Sequence, residues 1–325
     1  MEVRQRVIYL DIIRIIACLL IIGAHVAALY VNTVSDEGAD AVIYSVYQNM
    51  TQCGNIPYFM ISGSLFLNRD EIDVRRLFGH NILRILVIYF VWSGLYMLDT
   101  MRSTGMTFGV ESLLLLFQGK YHMWLLPRMI GVYCLLPVMH AMVHYKNGAC
   151  VKYFVWIFLG TLVINMFFES AAFLPAELTK FCQSLLPQFF QDAGYAVCGY
   201  WLSHVSLENV KKRYLTAGYL AALLVSVVWS GRGLVFEAIF LFLFCRKWSP
   251  KPGMGERVLS YVASCMLGVV MLHVFVLEHL EGWFHLSLMD YPSAAAIPCL
   301  TVAVFFVTLL PVAVLKRIPV IQRLL

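Results

Sequence analysis

Arg6-Val7-Ile8-Tyr9-Leu10-Asp11-Ile12-Ile13-Arg14-Ile15-Ile16-Ala17-Cys18-Leu19-Leu20-Ile21-Ile22-Gly23-Ala24-His25-Val26-Ala27-Ala28-Leu29-Tyr30 is the stretch whose reading decides the fold. It is apolar for long enough to cross a bilayer, which takes about 20 helical residues. Yet it holds an aspartate, an arginine and a histidine. Each costs a few kcal/mol or more in hydrocarbon unless it faces protein, water or a partner, so a plain anchor has no use for them. Ten residues separate Arg14 from His25. Eleven steps of about 100° come to roughly three turns, which puts both side chains on nearly one face, about 16 Å apart along the axis. One helix thereby presents a permanent cation near one membrane face and a titratable base deeper in, on the same line. The polar residues and the lack of a small-residue cleavage site mark a retained helix rather than a signal peptide.

The rest of the chain extends this reading. Of its 325 residues, 61% are hydrophobic and 13% charged, against about 25% charged in soluble domains. The apolar runs are too long and too unalternating for an outer-membrane barrel. The expected class is all-α, a polytopic membrane bundle of about ten transmembrane helices. The spans fall near 7–30, 52–67, 77–98, 123–144, 150–169, 187–205, 213–230, 233–248, 258–280 and 293–316. Residues 41–51 read as an amphipathic lead-in, and 108–118 as interfacial or re-entrant because they are too short to cross. With the N-terminus inside, 17 of the 24 Lys and Arg fall on the cytoplasmic side, against Arg102, Lys120, Lys180 and Arg232 outside. That asymmetry predicts both termini in the cytoplasm and an even number of crossings. No linker parts two domains, so residues 1–325 read as a single membrane domain whose chemistry takes place within the bundle. The nine cysteines show no CxxC or ligand spacing and read as small buried residues. Cys53 and Cys182 fall on one side of the membrane, but sequence does not license a disulfide between them.

Depth then sorts the polar residues. Asp11 and Arg14, three apart, suit a local ion pair near the cytoplasmic end. Arg84, one turn after His80, lies in the cytoplasmic third of the third span. His25 lies toward the outer end of the first. Near its level fall Asn55, His122, Trp124, Arg128, Asp192, Arg232, Glu237, His273 and Glu278. Guanidinium groups near the cytoplasm suit an anionic ligand with phosphates, and a histidine suits proton transfer near neutral pH. The 16 Å or so between Arg14 and His25 is comparable with the reach of a phosphopantetheine arm. Other readings stay open: a structural Asp11–Arg14 bridge, a hydrogen-bonded interfacial His25, snorkelling Arg128 and Arg232, and a packed or paired Glu237. No HExxH or other metal spacing appears, so no metal is expected.

Taken in order, several segments resemble one known family. The Arg14/His25 spacing in a helix beginning Tyr9-Leu10-Asp11-Ile12-Ile13-Arg14 is similar to the signature of the integral-membrane acyltransferase-3 family. Ile56-Pro57-Tyr58-Phe59-Met60-Ile61-Ser62-Gly63-Ser64 resembles its second helix, and Asn81-Ile82-Leu83-Arg84 with Tyr89-Phe90-Val91-Trp92-Ser93 its third. His122-Met123-Trp124-Leu125-Leu126-Pro127-Arg128 resembles its fourth, and Gly268-Val269-Val270-Met271-Leu272-His273 a late helix. Where many members carry Arg-x-x-Arg in the third helix, this chain has Asn81 and Arg84. Its size and lack of a soluble domain resemble the enterobacterial common antigen O-acetyltransferase subgroup.

The resemblance implies an acyltransferase (of groups other than aminoacyl) in the bacterial inner, or cytoplasmic, membrane. It would move an acyl group, acetyl by expectation, from cytoplasmic acyl-CoA to a hydroxyl of a surface or lipid-linked carbohydrate. His25 would be the general base or brief acyl carrier, Arg14 and Arg84 the donor-binding residues, and Asp11 the residue orienting Arg14. Asn55, His122, Trp124, Asp192, Glu237 and His273 are the candidates for the acceptor site. No cofactor is expected to be bound permanently, acetyl-CoA being a donor substrate. The expected partners are acyl-CoA, the glycan, membrane lipids and, for assembly, a homodimer, with no nucleic acid. On physics alone, buried Arg and His across a membrane also fit a transporter or flippase for a saccharide or anionic substrate, although no inverted pair of broken helices supports it.

Overall fold

The structure is a computed structural model that describes residues 7–31, 39–170, 191–248, 254–284, 291–318 and 322. The described residues are mostly helical, joined by turns and short irregular stretches, and include no strands. The first helix, α1, runs Ile8–Val31 and α2 Ala39–Thr51, followed by a 3₁₀ turn at Gln52–Asn55 and α3 at Ile56–Phe66. A short turn at Val74–Arg76 and a π-helical stretch at Leu77–Ile82 lead into α4, Leu83–Thr104. Next come α5 (Val110–Gln118), a 3₁₀ turn at Tyr121–Trp124 and α6 (Leu125–His144). The remaining helices are α7 (Ala149–Ser170), α8 (Gln191–His204), α9 (Lys212–Val228), α10 (Leu234–Trp248), α11 (Met254–Phe284) and α12 (Ser293–Leu315).

Among the described residues, five segments are long and apolar enough to cross a membrane: Ile8–Leu29, Val74–Thr104, Tyr121–His144, Gly255–Leu280 and Ser293–Leu315, with Ala149–Ile164 a shorter apolar helix. Some expected spans are therefore shorter than a crossing requires. α3 has 11 residues, and α8 has 14, with 187–190 of that expected span outside the described residues. The expected lead-in at 41–51 is the helix α2, and the expected interfacial stretch at 108–118 is the nine-residue helix α5. Cys182 lies outside the described residues; Cys18, Cys53, Cys198, Cys245 and Cys265 are buried as expected, but Cys134 and Cys299 are exposed and Cys150 is intermediate, because they fall on helix faces that no other described helix fully covers.

Two compact units divide the chain. The first comprises Met1–Gly54, Asp73–Tyr133 and Pro250–Leu325, the second Asn55–Ile72 and Cys134–Ser249. In the first unit α1 packs against α2, α11 and α12. The pairing of α1 with α11 keeps an offset of 248 or 249 residues along its length. Asp11 meets Ser260, Cys18 Sγ lies 4.0 Å from the Met266 carbonyl, and the His25 and His273 rings sit 5.1 Å apart. Asp11, Cys18 and His25 are seven residues apart, the repeat that holds one seam of a helix against a neighbour. The two helices are therefore parallel. α12 returns beside α11, with Tyr261 Oη donating to the Ala313 carbonyl and Lys316 Nζ to that of Ser264. Residues 8 and 315 accordingly lie at the same end of this unit.

The second unit is built on close contact between α3 and α8. Its seam uses Gly63 and Ala196 at one level and Met60 and Gly199 at another. Small residues let two helix backbones approach where no side chain fits between them, a common device in membrane bundles. Arg246 of α10 donates to the Leu202 and Val205 carbonyls at 2.7 and 2.6 Å, which satisfies orphan groups at the C-terminal end of α8. A basic residue counted for its topological charge thus also caps a helix.

Candidate functional site

The N-terminal half of α1 carries the first cluster. Asp11 is 1% exposed. Its Oδ1 accepts from Arg14 Nη1 at 2.7 Å, and its Oδ2 accepts from Ser260 Oγ at 2.8 Å. The i,i+3 spacing gives the first bond from one helix. The second needs α11 and was not legible in the sequence, where Ser260 is an unremarked serine. Asp11 thus ties Arg14 to a rigid frame while the guanidinium keeps about a quarter of its surface open. Replacing Ser260 by alanine is expected to lower stability by about 1 kcal/mol, and Asp11→Ala by more, because a buried network loses its centre. In the Asp11→Ala background the serine replacement should add almost nothing. Thermal unfolding of the four proteins in one detergent checks this non-additivity.

Three turns further along α1, His25 enters the second cluster. Its ring centroid lies 5.1 Å from that of His273, 5.4 Å from Tyr121 and 6.3 Å from His122. His122 and His273 are 5.3 Å apart. These residues come from α1, the 3₁₀ turn before α6, and α11, so three distant stretches of chain converge on one place in the first unit. His122 is 4% exposed and His273 fully buried, whereas His25 is partly open.

Hydrogen bonds set the protonation pattern of the two buried rings. His273 Nδ1 lies 2.7 Å from the Val270 carbonyl and His122 Nε2 3.3 Å from that of Met271. A carbonyl only accepts, so these nitrogens carry the protons and the other nitrogen of each ring is a bare lone pair. Those nitrogens, His122 Nδ1 and His273 Nε2, are buried and have no hydrogen-bond partner among the described residues. An unsatisfied buried acceptor costs about 1–3 kcal/mol, so a donor that reached either nitrogen would be bound favourably. Among the described residues no group of three or more His, Cys, Asp or Glu is arranged to hold a metal.

Charged residues flank the histidines. Lys120 Nζ lies 2.8 Å from Glu278 Oε1 and 5.7 Å from the centre of the Tyr96 ring. His279 Nε2 lies 3.4 Å from Asp99 Oδ1. Tyr96 and Tyr121 were missed by sequence reasoning, because in a chain with 17 tyrosines neither has a distinguishing spacing.

The other expected residues fall elsewhere. Arg84 sits in the first turn of α4 just after the π-helical stretch, with its Nε buried and without a hydrogen-bond partner among the described residues. Trp124 is 39% exposed, and the Arg128 guanidinium stands 4.9 Å over its ring. Asn55, at the N-cap of α3, and the partly buried Asp192 and fully buried Glu237 belong to the second unit. The structure therefore joins His25 with His122 and His273, and Asp11 with Arg14, but does not add Trp124 to the histidine cluster.

The acyltransferase domain family Acyl_transf_3 matches residues 7–315, nearly the whole chain. The protein belongs to this family and is a membrane acyltransferase by class. Comparison with the curated proteins and with the solved structures gives no match.

Proposed function

We propose that the protein transfers an acetyl group from acetyl-CoA to a hydroxyl of a surface or lipid-linked carbohydrate. It would work in the bacterial cytoplasmic membrane, with the Arg14 end of α1 toward the cytosol. The observation that carries this reading is the convergence of His25 with two buried imidazoles that each hold a bare nitrogen, within a chain of an acyltransferase family. His25 removes the proton of the acceptor hydroxyl as its oxygen attacks the thioester carbonyl. The carbon–sulfur bond then breaks, and the imidazolium returns the proton to the departing thiolate, leaving an ester and free CoA. His122 Nδ1 and His273 Nε2 accept from hydroxyls of the incoming sugar. Arg14, steadied by Asp11, and Arg84 hold the phosphates of the donor. Direct transfer of this kind gives sequential kinetics, and an isolable acylated His25 would contradict it.

Acetyl-CoA labelled in its acetyl group, supplied to membranes that contain the protein, tests the proposal. Label should arrive in a glycan fraction. Movement of a glycan across the membrane without labelling would overturn the reading in favour of transport.

A further inference from the structure

In a regular α-helix the amide of Phe275 would donate to the carbonyl of Met271, four residues earlier. In α11 the hydroxyl of Tyr96 engages both groups. It donates to the Met271 carbonyl at 2.7 Å and accepts from the Phe275 amide at 3.1 Å. A side chain from α4 thus bridges the two backbone groups of one rung of α11, and insertion of a side chain into the i→i−4 ladder is a recognised way to open a helix locally. The Tyr96 residue is 4% exposed, so water does not compete for these bonds. The rung spans the turn that carries His273.

The Met271 carbonyl has a second partner, His122 Nε2 at 3.3 Å. The Tyr96 ring also packs edge-on against that of His122, with centroids 5.3 Å apart. One hydroxyl therefore fixes the direction of the carbonyl that keeps the His122 proton on Nε2. It also fixes the turn from which His273 reaches the His25 ring. His273 holds its own proton through the Val270 carbonyl, outside the bridged rung.

We propose that Tyr96 is a positioning residue that acts through the backbone of α11. Its hydroxyl wedges the Met271–Phe275 rung and so holds His122, whose ring neighbours that of His25, in the tautomer with a bare Nδ1. The role in turnover rests on the acyl-transfer reading above, but the tautomer does not, which allows the two to be tested separately.

The test is nitrogen NMR of the full-length protein, labelled at histidine and held in lipid nanodiscs, as wild type and as Tyr96→Phe. In the wild type, His122 should be protonated at Nε2 and His273 at Nδ1, each as one tautomer. The Phe variant keeps the ring and removes the wedge, so Phe275 can pair with Met271. His122 should then become a mixture of tautomers while His273 stays unchanged as an internal control. Membrane assays with labelled acetyl-CoA should show a roughly 10-fold or greater fall in the maximal rate with the KM for acetyl-CoA unchanged, which a loss of donor binding would not give. A wild-type His122 protonated at Nδ1 overturns the proposal without any variant, and so does a Tyr96→Phe protein whose His122 tautomer is unaltered. If the tautomer shifts as expected but no labelled glycan forms even in the wild type, the acyl-transfer reading fails and the wedge stands.

Discussion

His25→Ala is expected to lower acyl transfer by roughly 10²–10⁴-fold, the usual contribution of a positioned general base, while the protein remains folded. The structure separates the two consequences. Among the described residues His25 makes ring contacts with Tyr121, His122 and His273 but no hydrogen bond, so its removal leaves no frame atom unpaired. The helix seam persists through Asp11–Ser260 and Cys18–Met266. Alanine is also the best helix former. Transfer measured with labelled acetyl-CoA should therefore fall, with yield and elution in detergent unchanged. Near-normal transfer by a well-folded His25→Ala protein would remove His25 from the mechanism.

Gly63→Val is the second large effect, and it acts on folding. A Cβ on Gly63 would stand 1.8 Å from the Ala196 carbonyl oxygen and 2.4 Å from its carbon. Those are backbone atoms of α8 and cannot rotate away. The helix around it is buried on nearly every side, from Ile56 through Phe59, Met60, Ile61 and Ser64 to Phe66. Two helices must separate to admit the side chain, so the loss should meet or exceed the top of the ~1–3 kcal/mol range for overpacking. That is a large share of the roughly 5–15 kcal/mol that keeps a domain folded. Gly131→Ala supplies the contrast, because a Cβ there meets nothing within 4 Å and helical alanine is favoured over glycine by about 1 kcal/mol. Thermal unfolding and monodispersity in detergent read both variants. A Gly63→Val protein as stable as Gly131→Ala would contradict the close seam.

How much of this was legible in the sequence depends on the range of each interaction. The Asp11–Arg14 pair and the shared face of Arg14 and His25 are properties of one helix and follow from spacing. The seven-residue recurrence of Asp11, Cys18 and His25 was present in the same stretch, but its partners Ser260, Met266 and His273 lie about 248 residues away, beyond any local pattern. His122 and His273 could be placed near the depth of His25 by counting. Counting could not tell them from Trp124, which stays partly exposed beneath Arg128, or from Asn55, Asp192 and Glu237, which belong to the other unit. Tyr96 left no signal at all, because its role lies in a bond to another helix's backbone. Hydropathy found where the apolar runs lie but not how much of each is continuous helix, as the 11-residue α3 and the 31-residue α11 show.

Mass spectrometry of the envelope glycans from cells that carry the wild-type protein, the His25→Ala protein or neither tests the central claim most directly. Glycan species heavier by one acetyl group should appear with the wild type and be missing from the other two. The same acetylated species in all three, or in the wild type and the His25→Ala cells alike, would contradict O-acetyl transfer at His25.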